Sequence, residues 1–230
     1  MTNLNKPTAT EPMGLRLYLV ITFAYWVFTL TDGAIRMLVV LHFHNLGFGA
    51  LQIAFMFLLY EVFGVITNGL GGWIASNFGL NRTMVGGGFL QVFALLMLAV
   101  DASWLTVGYV MTAMAFSGIA KDLNKMSAKS GVKLVVPKGG DADARLFKWV
   151  AVLTGSKNTL KGAGFFLGGF LLYSTGFQLA MVSMAAVLFV VYVITWWLLP
   201  GDMGTMKVKA KFSQILSKNR AINYLSAARF

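Results

Sequence analysis

Long stretches without a single charged residue constrain the possible folds of this chain more than any other feature of its sequence. Residues 62–81, 83–100, 102–120 and 162–201 contain no Asp, Glu, Lys or Arg. A transmembrane helix needs about 20 mostly apolar residues, so each of the first three stretches is long enough for one span. The fourth is long enough for two, and Ser174-Thr175-Gly176 within it is typical of a turn. These stretches predict an all-α membrane protein.

Two further apolar segments carry isolated charges: Leu15 to Leu41 contains Asp32 and Arg36 in addition to Arg16 at its start, and Ala50 to Ser76 contains Glu61. We therefore expect six transmembrane helices, at about 15–41, 50–76, 82–100, 103–122, 146–173 and 177–199. The expected organisation is a polar N-terminal tail (1–14), a six-helix bundle (15–199), a linker (200–220) and the first residues of a truncated seventh helix (221–230).

The composition and the charge distribution agree with a membrane location. Apolar residues make up 57% of the chain and charged residues only 12%, which excludes an ordinary soluble domain. The net charge is +11, but 15 of the 19 basic residues lie in two stretches, 121–161 and 207–229. Basic residues concentrate in cytoplasmic connections, so both termini are expected in the cytoplasm. The charge then requires no nucleic-acid partner, and we expect a multi-pass protein of the inner (plasma) membrane.

Motifs for catalysis or for cofactor binding are absent from the sequence. There is no Walker motif, no His-Glu-x-x-His, no Gly-x-Ser-x-Gly and no cysteine. His42 and His44 are expected in a short outer loop, and two histidines without a third ligand do not predict a metal site. We expect neither an enzyme nor a cofactor nor a bound metal.

Ionisable residues inside predicted spans are costly, so they indicate function or mutual pairing. Asp32 and Arg36 are four residues apart and share one helix face, either as an intrahelical ion pair or as a pair in a polar cavity. Glu61 has no basic neighbour in sequence. It is either a proton-coupling carboxylate or the partner of a lysine on another helix. Asp32 and Glu61 are the predicted coupling residues.

Basic residues recur every four positions on two other predicted helices. Lys121 and Lys125 form one stripe, and Lys157 and Lys161 form another. Side chains that reach the membrane surface would explain the first stripe in part. Two basic pairs on facing helices would instead bind an oxyanion. The predicted substrate-binding residues are Arg36, Lys121, Asn124, Lys125, Lys157, Asn158 and Lys161.

Two motifs resemble those of the major facilitator superfamily. Residues 72–82 read Gly-Trp-Ile-Ala-Ser-Asn-Phe-Gly-Leu-Asn-Arg and are similar to its loop signature between the second and third helices. Gly72, Gly79 and Arg82 match, whereas Ser76 and Asn77 replace charged residues. Residues 164–169, Gly-Phe-Phe-Leu-Gly-Gly, resemble the glycine motif of the fifth helix in antiporters, which also allows close helix packing.

Three longer stretches resemble the organoarsenical efflux permease (ArsJ) family. They are residues 29–44, 117–130 and 153–169. The resemblance implies a twelve-helix facilitator that exports 1-arseno-3-phosphoglycerate and so confers arsenate resistance. It implies a functional link to glyceraldehyde-3-phosphate dehydrogenase, which forms this ester from arsenate. Arg36, Lys121, Lys125, Lys157 and Lys161 lie in these stretches and are the implied ligands of the anionic substrate.

Members of that family have six more helices, so the resemblance implies that this chain is an N-terminal half whose C-terminal half is missing. Such a half is not expected to transport alone. Two other functions fit the sequence. One is half of a drug–proton antiporter, and the other is a non-transporting membrane protein that binds a partner or dimerises.

Overall fold

The computed structural model describes residues 11–136 and 142–201, and within these two ranges it contains no β-strand. Its seven helices are α1 (Glu11–Asn45), α2 (Ala50–Met56), α3 (Leu58–Phe78), α4 (Leu80–Leu98), α5 (Val107–Val135), α6 (Ala142–Thr175) and α7 (Phe177–Leu198). The all-α class is thereby confirmed for the described residues. Most of the predicted N-terminal tail, almost all of the linker and the whole of residues 221–230 lie outside them.

Several helix boundaries differ from the sequence prediction by four residues or more, and three of the differences change the description of the fold. The predicted second helix is divided at Phe57, which ends α2 and precedes the first residue of α3. Helix α5 continues to Val135, past the predicted end at 122, because charged side chains end an apolar stretch but do not disrupt a helical backbone. Helix α1 extends to Asn45, so His42 and His44 belong to its last turn and not to a loop.

Two of the turns depend on glycine. Gly79 is the only residue between α3 and α4 and has φ 89° and ψ 150°, a conformation almost restricted to glycine. Gly176 links α6 to α7 with φ 79°, as expected from the predicted turn at 174–176. These single-residue links force each pair of consecutive helices to run in opposite directions.

Helices α1 and α6 pack in parallel through glycines. Gly33 faces Lys161 and Gly164, and Gly168 lies against Ala34. A Cβ added at Gly168 would lie 2.5 Å from the Ala34 carbonyl oxygen, and one added at Gly164 would overlap the backbone of α1. The close helix packing predicted for the glycines of residues 164–169 is therefore confirmed at Gly164 and Gly168. The close approach brings two helices that carry ionisable residues directly against each other.

Helices α3 and α5 also run in parallel and in close contact. A Cβ at Gly118 of α5 would overlap the carbonyl group of Tyr60, and one at Gly64 would lie 2.8 Å from Asp122 Oδ2. Further along, Gly71 faces Met126. Close packing at glycines thus joins α3 to α5, as it joins α1 to α6.

Helix α4 packs antiparallel to α7. Asn81 near the start of α4 donates to the Leu199 carbonyl (2.9 Å) at the end of α7. Gln178 near the start of α7 donates to the Val100 carbonyl (2.9 Å) after α4. In the loop that follows, the Ser103 backbone and hydroxyl donate to Asp101, and these hydrogen bonds lower the pKa of that exposed carboxyl.

Three helical segments are long and apolar enough to cross a membrane: Gly14–Asn45, Ala50–Gly71 and Phe177–Leu198. Large apolar side chains also face outward, among them Phe166 (84% exposed), Tyr173 (93%) and Trp197 (85%). Apolar surface of this kind marks contact with lipid or with another protein. The described residues therefore have the features of a multi-pass membrane protein.

Candidate functional site

A cavity of about 270 Å³ lies between α1, α3, α5 and α6. Seven of the residues singled out in the sequence line it together: Asp32, Arg36, Glu61, Lys121, Lys125, Lys157 and Lys161. Parallel packing of α1 on α6 and of α3 on α5 brings these residues into one place. The lining contains five basic and three acidic side chains, which is a formal excess of two positive charges.

The cavity lies midway along α1, α5 and α6 and beside the first half of α3, where Glu61 is in the first turn. Lys121 is the central residue of α5, which runs from Val107 to Val135. Asp32 and Lys161 lie within about one turn of the centres of α1 and α6. Helix α1 is long and apolar enough to cross a membrane, and an ionisable residue near the centre of such a helix costs about 2.5–3.5 kcal/mol to insert. The mutual pairing of these groups, together with the polar cavity, reduces this cost.

Asp32 is buried and is held by two partners from other helices. The Tyr60 hydroxyl donates to its Oδ1 (2.6 Å), and Lys161 Nζ lies 3.9 Å from its Oδ2. The side chain of Asp32 is only 5% exposed. Of the two alternatives for Asp32 and Arg36, the structure agrees with a pair of residues in a polar cavity. Both line the cavity, and both have partners on other helices.

Glu61 has the basic partners that its sequence neighbours lack. Its Oε1 accepts from Arg36 Nη2 (3.1 Å), and its Oε2 lies 3.7 Å from Lys121 Nζ. Both cations also contact the face of Tyr60, each 4.1 Å from the ring centroid. Glu61 is thus paired with a lysine on another helix, which is the second of the two interpretations given for it from the sequence.

Asp122 is the third carboxylate of the cavity, and it is 5% exposed. It lies 3.1 Å from Lys125 Nζ and 3.6 Å from Lys121 Nζ. Gly64 lies directly against this carboxylate, so a larger residue there would displace it. Asp122 therefore fixes the two lysines of α5 in the cavity.

Lys157 differs from the other four cations. Lys121, Lys125 and Lys161 each lie near a carboxylate and Arg36 is paired with Glu61, but Lys157 has no ion pair within the described part of the chain. It lies one turn before Lys161 on the same face of α6, so a ligand that contacts one can contact the other. Lys157 therefore contributes one uncompensated positive charge to the cavity.

Two of the predicted ligands lie elsewhere. Asn124 is fully buried and donates to the Met84 carbonyl (3.4 Å) and to the Tyr192 hydroxyl, so it joins α5 to α4 and α7. Asn158 is exposed on α6. Among the described residues that line the cavity, neither asparagine is present. Each is one position from a lysine of the cavity, and one position rotates a helical side chain by about 100°.

The predicted loop motif lies away from the cavity. Gly72 is on α3, Gly79 forms the turn to α4, and Arg82 is exposed in the first turn of α4. The backbone conformation of Gly79 explains why a glycine is needed there. The conformational role of the motif stays a prediction.

Sequence reasoning did not select four polar residues that line the cavity: Tyr25, Thr29, Asn68 and Asp122. It also did not select Tyr60, a buried residue whose hydroxyl donates to Asp32. Tyr25 and Thr29 precede Asp32 and Arg36 by helical spacing, so the stripe at 25, 29, 32 and 36 could have revealed them. Tyr60 had no such signal, because an aromatic residue inside an apolar stretch predicts packing.

No family model and no curated protein matches this chain.

Proposed function

We propose that this chain forms one half of a secondary transporter that exports an anionic organoarsenical, 1-arseno-3-phosphoglycerate, across the inner (plasma) membrane. The observation that carries the proposal is the cavity between α1, α3, α5 and α6, which is lined by five cations, one of them (Lys157) without an ion pair among the described residues. Groups that are so costly to place in a membrane are kept where they contact a substrate or an ion.

The packing of the helices supports a transporter. The six long helices, α1 and α3 to α7, have 19 or more residues each, enough to span about 30 Å of hydrocarbon. The first long helix pairs in parallel with the fifth, and the second with the fourth. An inverted repeat of two three-helix units produces this arrangement, and many transporters place their substrate site at such a repeat interface.

The chemistry of the cavity supports a substrate with more than one anionic group. Arg36 can bind a tetrahedral oxyanion through two N–H groups, whereas each lysine contributes a point charge. The cations come from three helices, so separate anionic groups of one molecule could each find a partner. The ester carries a phosphate and an arsenate. Pentavalent arsenic in this form is an oxyanion, so the lack of cysteine is no obstacle.

The identity of the substrate rests on the resemblance in residues 29–44, 117–130 and 153–169. In the proposed transporter a second six-helix half covers the cavity, and glyceraldehyde-3-phosphate dehydrogenase supplies the ester. Asp32 and Glu61 have roles in coupling, because each pairs with a cation that the substrate would also contact.

Arsenate resistance in cells without their own efflux system tests the proposal. The full-length gene is expressed as wild type, Lys121→Gln, Lys157→Gln or Lys148→Gln, with protein levels measured in the membrane fraction. Lys148 is an exposed lysine of α6 outside the cavity, so its variant is the matched control. We expect resistance to fall in the two cavity variants only. Equal resistance in all four strains would contradict the assignment of the ligands.

A further inference from the structure

Arg36 and Lys121 form a preassembled pair of cations. They come from different helices, α1 and α5, and both lie 4.1 Å from the centroid of the Tyr60 ring. Their side chains are only 22% and 20% exposed. Tyr60 is fully buried, and an aromatic ring holds cations through its quadrupole, so the two charges stay in place whether or not an anion lies between them.

The group that now lies against these cations is the carboxylate of Glu61. One oxygen accepts from Arg36 (3.1 Å) and the other lies 3.7 Å from Lys121. This is how an oxyanion would bind, with a separate oxygen directed at each cation. The side chain of Glu61 is nevertheless 61% exposed, in contrast to its partners.

We propose that Arg36 and Lys121, which both lie against the Tyr60 ring, form a subsite for one tetrahedral oxyanion group, a phosphate or an arsenate, and that Glu61 occupies it as an internal substitute when no ligand is bound. This inference deepens the proposed function and rests on it. Binding of the oxyanion displaces the Glu61 carboxylate, so the ligand competes with a residue of the protein itself.

The other two carboxylates of the cavity are not suited to this role. Asp32 and Asp122 are each 5% exposed. Asp32 accepts a 2.6 Å hydrogen bond from Tyr60, and Asp122 lies between two lysines of its own helix. Their displacement would leave a buried charge without a partner, which is strongly unfavourable. Glu61, in contrast, is 61% exposed and can leave its cations without becoming a buried charge.

The guanidinium group of Arg36 also has spare donor capacity. Its Nη2 donates to Glu61, whereas its Nε is buried and has no hydrogen-bond partner among the described residues. A carboxylate has two oxygens, and both are already directed at the two cations. A tetrahedral oxyanion has more oxygens and could satisfy this donor as well.

Binding of inorganic phosphate and of inorganic arsenate, measured by calorimetry on the full chain in lipid nanodiscs, tests the inference. The variants are Glu61→Gln, which removes the charge and keeps the shape, and Glu61→Ala. Asp101→Asn is the matched control, because it removes one negative charge at an exposed position outside the cavity. The melting temperature of each variant establishes that it is folded.

We expect both Glu61 variants to bind either anion about fivefold more tightly than wild type, as for the loss of one competing exposed ion pair. Asp101→Asn should bind as wild type does. Adding Arg36→Gln to Glu61→Gln should abolish the gain. Unchanged or weaker binding in the Glu61 variants would overturn the inference. If Lys157→Gln bound these anions more weakly than wild type in that case, the proposed function would stand without this subsite. No binding by any variant would count against both.

Discussion

The contact between α1 and α6 determines whether the cavity exists, so its removal is the most informative change to the fold. Gly164→Ala adds one methyl group where the nearest atoms all belong to the backbone of α1. The new Cβ would overlap the Leu30 carbonyl and lie 3.0 Å from Gly33 Cα and 3.1 Å from Ala34 N. Backbone atoms cannot move away as a side chain can, so the two helices must separate.

The matched control is Gly162→Ala, two positions earlier on α6, where a new Cβ would have no neighbour within 4 Å. An overpacked contact costs about 1–3 kcal/mol, whereas alanine for glycine on an open helix face gains up to about 1 kcal/mol. Gly164→Ala should therefore be less stable than wild type and Gly162→Ala slightly more stable. The free energies of unfolding of the two variants should differ by about 2–3 kcal/mol. For a chain of this size that is roughly 6–9 °C in melting temperature.

Thermal unfolding in detergent, followed by the fluorescence of the tryptophans, measures this difference. Helix separation also moves Lys161 away from Asp32, now 3.9 Å apart, so Gly164→Ala should weaken anion binding whereas Gly162→Ala should not. Equal melting temperatures in the two variants would refute the argument that glycine packing sets the distance between α1 and α6.

Two further changes test the polar contacts. Tyr60→Phe removes the hydroxyl that donates to Asp32 (2.6 Å) and should lower the free energy of unfolding by about 1–3 kcal/mol, because a buried carboxylate loses a donor. An unchanged denaturation midpoint would show that this hydrogen bond contributes nothing. Asn124→Ala should destabilise by a similar amount and leave the cavity charges in place, whereas Asn158→Ala should leave stability within about 0.5 kcal/mol of wild type. Equal effects of the two Ala variants in the same denaturation assay would contradict the placement of Asn124.

Helical spacing predicted the charged part of the cavity well. The pairs Asp32–Arg36 and Lys157–Lys161 each line it, because residues four apart share a helix face. The prediction that Asn124 binds substrate was wrong for this cavity. Asn124 is next to Lys125 in sequence, but its side chain points toward α4 and α7. Spacing within one helix determines a face but does not determine which neighbour that face meets.

Contacts between helices could not be predicted from the sequence. Tyr60 lies within an apolar stretch, and only the packing of α3 and of α1 on α5 brings it against Asp32, Arg36 and Lys121. The break at Phe57 had no signal either, because neither glycine nor proline marks it. Hydropathy also ended α5 too early, since it follows the apolar stretch and not the hydrogen bonds of the helix, which continue to Val135.

The central claim is that the cavity cations bind a polyanion, and a direct titration of the full chain in nanodiscs tests it. The probe is 2,3-bisphosphoglycerate, a three-carbon acid with two phosphates. Wild type is compared with Lys157→Gln and with Lys148→Gln, which changes an exposed lysine of the same helix outside the cavity. The account predicts binding by wild type and by Lys148→Gln, and about five- to tenfold weaker binding by Lys157→Gln. Equal affinity in all three proteins, or no binding by wild type, would contradict it.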